Sequence, residues 1–327
     1  MNVAIIGCGG MGSYHAQMAA NCGARIVACV DAFPEAAKKL AATHGAKKAL
    51  GMKDLAKILS DPGVDLVLIA TPTPTHLELV ERAAAAGKHI FCEKPFCRTS
   101  ADCKKAIAAA KRGKVKLFVG HVLRYFHEYE ALKAQIESGK IGTPGWVKMY
   151  RGGMFPVGSK KWFSNFDQSG GVTFDASIHD LDWLRYMFGD AERVYCQALQ
   201  RTEPVLMDYA QMTIRMKSGL IATVVGTWAH PSGFRAKAEI CGSAGLLYYD
   251  SAESPLSAQQ RESGAGPGMI IPLGADSVSP YQLEWEDFLA WVRDDRKPRV
   301  VPEDGLKAVA LAEAALKSAK TGQPVKL

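Results

Sequence analysis

Six residues into the chain stands a glycine-rich run, Gly7-Cys8-Gly9-Gly10-Met11-Gly12, directly after the apolar stretch Val3-Ala4-Ile5-Ile6. Residues 25–30, Arg-Ile-Val-Ala-Cys-Val, read as a second buried strand, and they end at Asp31, nineteen residues after Gly12. In a strand–turn–helix unit, the first such glycine permits a tight turn and the second lets a pyrophosphate approach the backbone. The third lets helix and strand pack closely, and the phosphates meet the helix N-terminus. An acidic side chain about 20 positions on accepts hydrogen bonds from the adenosine ribose. Glycines at this spacing are common by themselves. The strand before them, the helical pattern after them and the placed acid together predict a dinucleotide site at Gly7, Gly9, Gly10, Met11, Gly12 and Asp31.

The pattern continues in the same style. Helical segments at 34–44 and 51–60 precede a buried strand, Asp65–Ala70, which is stopped by Thr71-Pro72-Thr73-Pro74. A helix then runs to Ala86 and closes at Gly87, a normal C-terminal stop. Residues 88–92 and 115–119 supply two more strands, separated by a helix over 100–112. Such alternation predicts a doubly wound parallel sheet, an α/β Rossmann domain over 1–121. After Gly120 the character changes. A helix at 125–138, Gly-rich loops at 139–145 and 152–171, and a helix at 176–188 come first. Strand-like segments follow at 193–201, 207–216, 220–229, 234–241 and 246–250. Lys217-Ser218-Gly219 reads as a hairpin turn. Residues 251–279 read as a surface loop, and helices at 281–294 and 303–320 close the chain. The expectation for 122–327 is therefore an α+β domain built on a large, mainly antiparallel open sheet.

Composition narrows the function. The net charge of +7 is uneven: residues 1–121 hold 17 Lys+Arg against 9 Asp+Glu, and the remainder 23 against 24. A cationic first half suits an anionic dinucleotide, although Lys38, Lys39, Lys104, Lys105 and Lys111 individually read as wet faces of surface helices. No stripe of basic residues interleaved with aromatics appears, so nucleic acid is not an expected partner. The eight cysteines form no C-x-x-C pair and no zinc-finger spacing, which argues for reduced, mostly buried thiols and no metal. No basic leader precedes the first apolar run and no stretch nears ~20 apolar residues, so the expected location is the cytoplasm, away from membranes.

Three further spots invite chemistry. Thr71, Pro72 and His76 follow the carboxyl end of a parallel strand, where ligands of open α/β sheets lie. The prolines either only end a strand or place a loop against the nicotinamide half of a cofactor. Glu93-Lys94-Pro95 occupies a similar position, where a lysine either waits in solvent or stabilises negative charge developing on a substrate oxygen. In Gly170-Gly171-Val-Thr-Phe-Asp175-Ala-Ser-Ile-His179, the carboxylate and the imidazole are four apart and share a helix face. A neighbouring carboxylate raises an imidazole's basicity and fixes its orientation, as a general base requires. Asp180 and Asp182 read as surface or capping residues.

Taken in order, these motifs resemble the glucose–fructose oxidoreductase/inositol dehydrogenase (Gfo/Idh/MocA) family across nearly the whole chain. Ala70-Thr71-Pro72 with His76, Gly87-Lys88-His89, Tyr281 before the Glu284–Phe288 helix and Asp304-Gly305 follow the same sequence; one departure is Ser169, where many relatives carry a third glycine. The resemblance implies an NAD-dependent dehydrogenase that oxidises a secondary hydroxyl of a cyclitol or sugar, or runs the reverse reduction. It implies Lys94 at the nicotinamide ribose and substrate hydroxyl, and His179 as the base. Asp175 becomes the carboxylate that binds substrate and supports the histidine. Thr71, Pro72, His76, Glu93 and Lys94 line the cofactor, and Pro95 often follows a cis bond. It also implies a homo-oligomer, dimer or tetramer, assembled through the C-terminal sheet. Redox-neutral glycoside cleavage with retained NAD and a non-catalytic NAD-binding regulator stay open as alternatives. Further pocket candidates are Arg124 and Trp162, with Lys160, Lys161 and Asn165; Trp162 either stacks on a sugar face or packs in the core. Asp31, with Ala32 next to it, would repel a 2′-phosphate, which favours NAD over NADP.

Overall fold

The computed structural model describes residues 1–156, 160–199, 209–231, 233–253 and 278–327. The expected loop at 251–279 lies largely outside them. The chain divides into two compact units, one comprising Met1–Tyr125 with Val278–Lys307, the other Phe126–Ser277 with Ala308–Leu327.

The first unit alternates strictly. It runs β1 (Asn2–Ile6), α1 (Gly10–Asn21), β2 (Arg25–Asp31), α2 (Pro34–His44), β3 (Lys48–Gly51), α3 (Leu55–Leu59) and β4 (Leu66–Ile69). Then follow α4 (His76–Ala85), β5 (His89–Glu93), α5 (Ser100–Gly113) and β6 (Leu117–Gly120). All six strands are parallel, in the order β3-β2-β1-β4-β5-β6. Val3–Ile6 and Leu66–Ile69 are wholly inaccessible, as expected of strands covered by helices on both faces. The edge strand β3 has no apolar run and leaves no clear sequence signal.

The boundary expected near residue 121 is only half of the division. Residues 278–307 belong with the first unit and not, as their position suggested, with the second. Within that segment, α11 (Pro280–Asp294) has an apolar stripe at Trp285, Phe288 and Leu289, and these need cover. They find it in the Rossmann core. Trp285 stacks on Phe91 with ring centroids 4.8 Å apart, and Phe288 meets Phe91 edge-on at 5.6 Å. Periodicity announces an amphipathic helix without naming its partner.

The second unit carries a seven-stranded sheet. Its elements are α6 (His127–Glu137), β7 (Pro144–Gly152), the short helices α7 (Lys160–Phe163), α8 (Phe166–Ser169) and α9 (Gly171–Asp175), and α10 (Ser177–Phe188). Then come β8 (Ala191–Leu199), β9 (Tyr209–Met216), β10 (Ile221–Thr227), β11 (Arg235–Gly242), β12 (Gly245–Asp250), part of α12 (Pro302–Thr321) and β13 (Val325–Lys326). The order is β12-β11-β7-β10-β9-β8-β13, antiparallel except for the β7–β10 pair. β9 and β10 form the expected hairpin through Lys217-Ser218-Gly219. Alternate residues of β9 and β10 (Ala210, Met212, Ile214, Ala222, Val224) are fully buried, and those between them point to the other face. Ser318 of α12 fixes that helix to the sheet, accepting the Cys196 N–H at 2.9 Å. All eight cysteines are free thiols. Among the described residues, no helix is long and apolar enough to cross a membrane, and no group of three His, Cys, Asp or Glu is placed to hold a metal.

Candidate active site

The register of the first sheet lines up one row of residues at its carboxyl edge. Ile6 lies opposite Val30 and Ile69, and Ile69 opposite Cys92. One residue further stand Asp31, Gly7, Ala70 and Glu93 on four neighbouring strands. At the usual strand spacing this row is about 14 Å long. β1 and β4, where the strand order reverses, form its middle, the position at which doubly wound sheets bind dinucleotides.

The glycine loop at this switch point fits a pyrophosphate. Gly7 adopts φ +93°, and a Cβ there would sit 2.5 Å from the Ala70 carbonyl oxygen. A Cβ on Gly12 would lie 1.8 Å from the Gly7 carbonyl oxygen, so these two glycines are required by the fold. Gly9 and Gly10 differ. A Cβ at either would meet nothing within 4 Å, which leaves open the space before α1. The first turn of α1 has no side-chain cap, so its N–H groups are directed to that space. Met11 is exposed beside it. At the β2 end, Asp31 accepts the Cys8 N–H on Oδ2 at 2.6 Å and the Phe33 N–H on Oδ1 at 2.7 Å. Each oxygen keeps a lone pair for a ribose hydroxyl.

Two loops beyond β4 and β5 are tied together by His76. The ring is 1% exposed; Nε2 lies 2.9 Å from the Thr71 carbonyl, and Nδ1 lies 3.0 Å from that of Pro95 and 3.1 Å from that of Phe96. Burial lowers its pKa against the pull of those carbonyls. His76 therefore braces the Thr71–Pro72 turn against the Lys94–Pro95 turn. In the first of these, the Thr71 and Thr75 hydroxyls are 2.7 Å apart. The Lys94–Pro95 peptide is cis, as the resemblance implied.

Glu93 is 6% exposed and its carboxylate is used internally. Oε1 lies 2.5 Å from His15 Nε2, and Oε2 accepts the backbone N–H of Lys94 at 2.8 Å. Burial alone would raise its pKa. The His15 hydrogen bond, the Lys94 charge and the Lys94 amide outweigh that and hold it below the ordinary value. His15 and Trp285 escaped the sequence reading. The available signal was a lone histidine on the buried face of α1, three residues after Gly12, since a buried imidazole needs partners.

Arg124, a pocket candidate in the sequence, is buried and engaged within the first unit. It is 3% exposed, and its Nη1 donates to the Arg299 carbonyl at 2.6 Å and to Asp304 at 3.1 Å. A buried guanidinium needs a carboxylate and carbonyls, and Asp304 at the start of α12 meets that need.

In the second unit, α9 and α10 run almost continuously through Ala176. Of residues 171–185, only Asp175, Ala176 and His179 are not buried. The helix thus presents a carboxylate and an imidazole four apart and buries what surrounds them. Gly170 before it has φ +73°, and the Ser169 hydroxyl accepts the Gly171 N–H at 3.1 Å, so serine serves in place of the third glycine. Asp180 and Asp182 are fully buried, not superficial. Asp180 receives Arg151 bidentately, Nε to Oδ2 at 2.9 Å and Nη2 to Oδ1 at 2.7 Å, and Arg151 Nη2 also reaches the Tyr129 hydroxyl at 3.3 Å. Burial raises the Asp180 pKa against the opposing pull of Arg151. This pair fixes α10, and with it His179, to β7. Trp162 is half-buried and packs against Phe163, the ring centroids 4.0 Å apart and the planes tilted by 32°. Asn165 caps α8 through the Gln168 N–H. The side chains of Lys160 and Lys161 lie outside the described residues.

A parallel sheet in dinucleotide-binding order, an open glycine loop and a carboxylate at the end of β2 define a dinucleotide-binding protein. Comparison with known proteins agrees. Residues 1–121 match the family model described as "Oxidoreductase family, NAD-binding Rossmann fold", and residues 129–248 match the "GFO/IDH/MocA C-terminal domain". The chain belongs to the GFO/IDH/MocA family of NAD-binding oxidoreductases. It is 29% identical to a myo-inositol 2-dehydrogenase of Thermotoga maritima, covering 100% of this chain and 98% of that protein. It is 31% identical to an inositol 2-dehydrogenase of Rhizobium meliloti, covering 96% and 95%. The crystal structure of a myo-inositol dehydrogenase from Corynebacterium glutamicum superposes with a TM-score of 0.82 at 25% identity, over 100% of this chain and 98% of that one.

Proposed function

We propose that this oxidoreductase acts on a secondary hydroxyl of a cyclitol, with myo-inositol the first candidate and sugars of similar hydroxyl pattern next. The observation that carries the reading is that Asp175 and His179, with Ala176 between them, stay partly accessible in an otherwise buried helical segment. The three inositol dehydrogenases compared above each extend over nearly this entire chain, which supports the substrate class.

NAD, when bound, supplies the hydride acceptor. Gly9, Gly10 and the first turn of α1 would hold its pyrophosphate, Asp31 the adenosine ribose, and the turns after β4 and β5 its nicotinamide half. His76 and Glu93 act behind that surface, since their polar atoms are committed within the fold. Lys94 donates to the substrate hydroxyl and stabilises the oxygen as its proton leaves. His179 takes that proton, and Asp175 orients the imidazole and binds a neighbouring hydroxyl. The Asp180–Arg151 pair keeps the base in place.

We also assign self-association to the open face of the second sheet. Ile221, Trp146, Cys241 and Leu246 stand in one row across β10, β7, β11 and β12, with Val225 and Tyr150 two rows along. Ile221 and Leu246 are 41% and 52% exposed. Such a face is suited to a second copy of itself.

The test is a panel of myo-inositol, scyllo-inositol and aldoses with NAD, followed at 340 nm. Net NADH with a cyclitol supports the reading. Product without NADH would indicate a redox-neutral reaction, and no product with any of them would overturn the assignment.

A further inference from the structure

Three buried polar groups of the first unit converge on the peptide N–H of Lys94. An indole N–H only donates. Trp285 Nε1 lies 3.0 Å from His15 Nδ1, so Nδ1 accepts and the ring proton is on Nε2. That proton faces Glu93 Oε1 at 2.5 Å, and Glu93 Oε2 accepts the Lys94 N–H at 2.8 Å. A second proton on Nδ1 would oppose one N–H to another, so the indole bond locks the imidazole in one neutral tautomer. His15 and Trp285 are both completely buried. Apolar side chains would fill this space without the cost of desolvating polar groups. The fold instead spends three of them on the orientation of one carboxylate.

We propose that His15 and Trp285 are positioning residues for Lys94. Trp285 sets the His15 tautomer, His15 holds the Glu93 carboxylate, and Glu93 grips the backbone from which the Lys94 side chain projects. The proposal rests on the assignment of Lys94 to the substrate hydroxyl. It also joins α1, whose first turn borders the glycine loop, to the turn that carries Lys94. His15 and Trp285 touch no substrate and act only through Glu93.

The experiment compares the full-length protein with Trp285→Phe, His15→Leu and His15→Gln. Phenylalanine keeps an aromatic ring against Phe91 and deletes the N–H. Glutamine offers both an acceptor and a donor, and leucine neither. Hydrogen–deuterium exchange of the Lys94 amide, histidine ring ¹⁵N spectra and steady-state kinetics with NAD and a cyclitol are the readouts. Loss of one buried bond in Trp285→Phe is expected to speed Lys94 exchange about tenfold and lower kcat by a similar factor. The KM for NAD should stay within about twofold, because the pyrophosphate contacts are untouched. The wild-type His15 spectrum should show the Nε2–H tautomer. His15→Leu should match or exceed the Trp285→Phe defect, and His15→Gln should recover most of it. Unchanged Lys94 exchange in folded Trp285→Phe, or equal losses in His15→Leu and His15→Gln, would overturn the proposal. If the parent protein oxidises no cyclitol or sugar, the substrate assignment fails, while the exchange and spectra still decide whether this relay holds Lys94.

Discussion

Asp31 and Cys8 are joined by a 2.6 Å hydrogen bond from the Cys8 backbone N–H to Asp31 Oδ2, which links the end of β2 to the glycine loop. One carboxylate thereby shapes the loop, and in the proposed complex it also meets the adenosine ribose. Replacing it should affect both roles. Asp31→Ser is expected to weaken NAD binding about tenfold, the worth of one charge-assisted hydrogen bond. NADP should gain relative to NAD, because the charge that repels a 2′-phosphate is gone. Titration of both nucleotides against wild type and variant checks this. An unchanged ratio of the two affinities would refute the role of Asp31 in cofactor choice.

Gly9 and Gly12 should separate binding from folding. Gly9→Ala adds a methyl into open space and should leave the melting temperature within a few degrees while NAD affinity falls, because the methyl occupies the approach of the pyrophosphate. Gly12→Ala forces its Cβ against the Gly7 carbonyl and should cost on the order of 1–3 kcal/mol or more of stability. Thermal unfolding with and without NAD distinguishes them. Equal destabilisation by both would contradict this account of the loop.

The carboxylate of Asp250 predicts a pH dependence. Hydrogen bonds from Arg235 hold it well below the usual range, outweighing burial, with further help from Lys237, the Ala252 amide and the Tyr248 hydroxyl. A depressed carboxyl pKa stabilises the fold fully above its unfolded value of about 4, and that contribution is lost as pH falls through the window below it. Asp250→Asn should therefore melt lower than wild type at neutral pH, and the gap should narrow in acid. Melting curves across the acid range would expose a gap that stays constant, which the account forbids.

Much of this was legible in the chain. Glycine spacing, Asp31 and the uninterrupted apolar strands specify the first sheet, because a parallel strand covered on both faces has little alternative. Glu93-Lys94-Pro95 and Asp175 with His179 were visible as residue types at suggestive spacing. Other features were set by tertiary partners that local pattern does not encode. Arg124 looked like a substrate ligand because Asp304 is 180 residues away, and Asp180 looked superficial because Arg151 lies on a strand the sequence did not announce. The return of residues 278–307 to the first unit followed from Phe91 and Phe118, which seat Trp285 and Phe288.

The exposed row on the second sheet makes a prediction about assembly. Wild type should run in light-scattering chromatography above the 35.3 kDa of one chain, and Ile221→Arg, which sets a charge at the β10 end of the apolar row, should shift it toward the monomer. A wild-type monomer at micromolar concentration would remove the sheet face from the account.

In the proposed reaction a hydrogen on a cyclitol carbon passes to NAD. Incubation with NAD and ring-deuterated myo-inositol, followed by mass spectrometry of the nucleotide, measures it directly. The account predicts NADH carrying one deuterium in wild type. It predicts a rate lowered by about 10²–10⁴ in His179→Ala, the usual contribution of a positioned general base. Absence of deuterium from the nucleotide, or a full rate in His179→Ala, would contradict it.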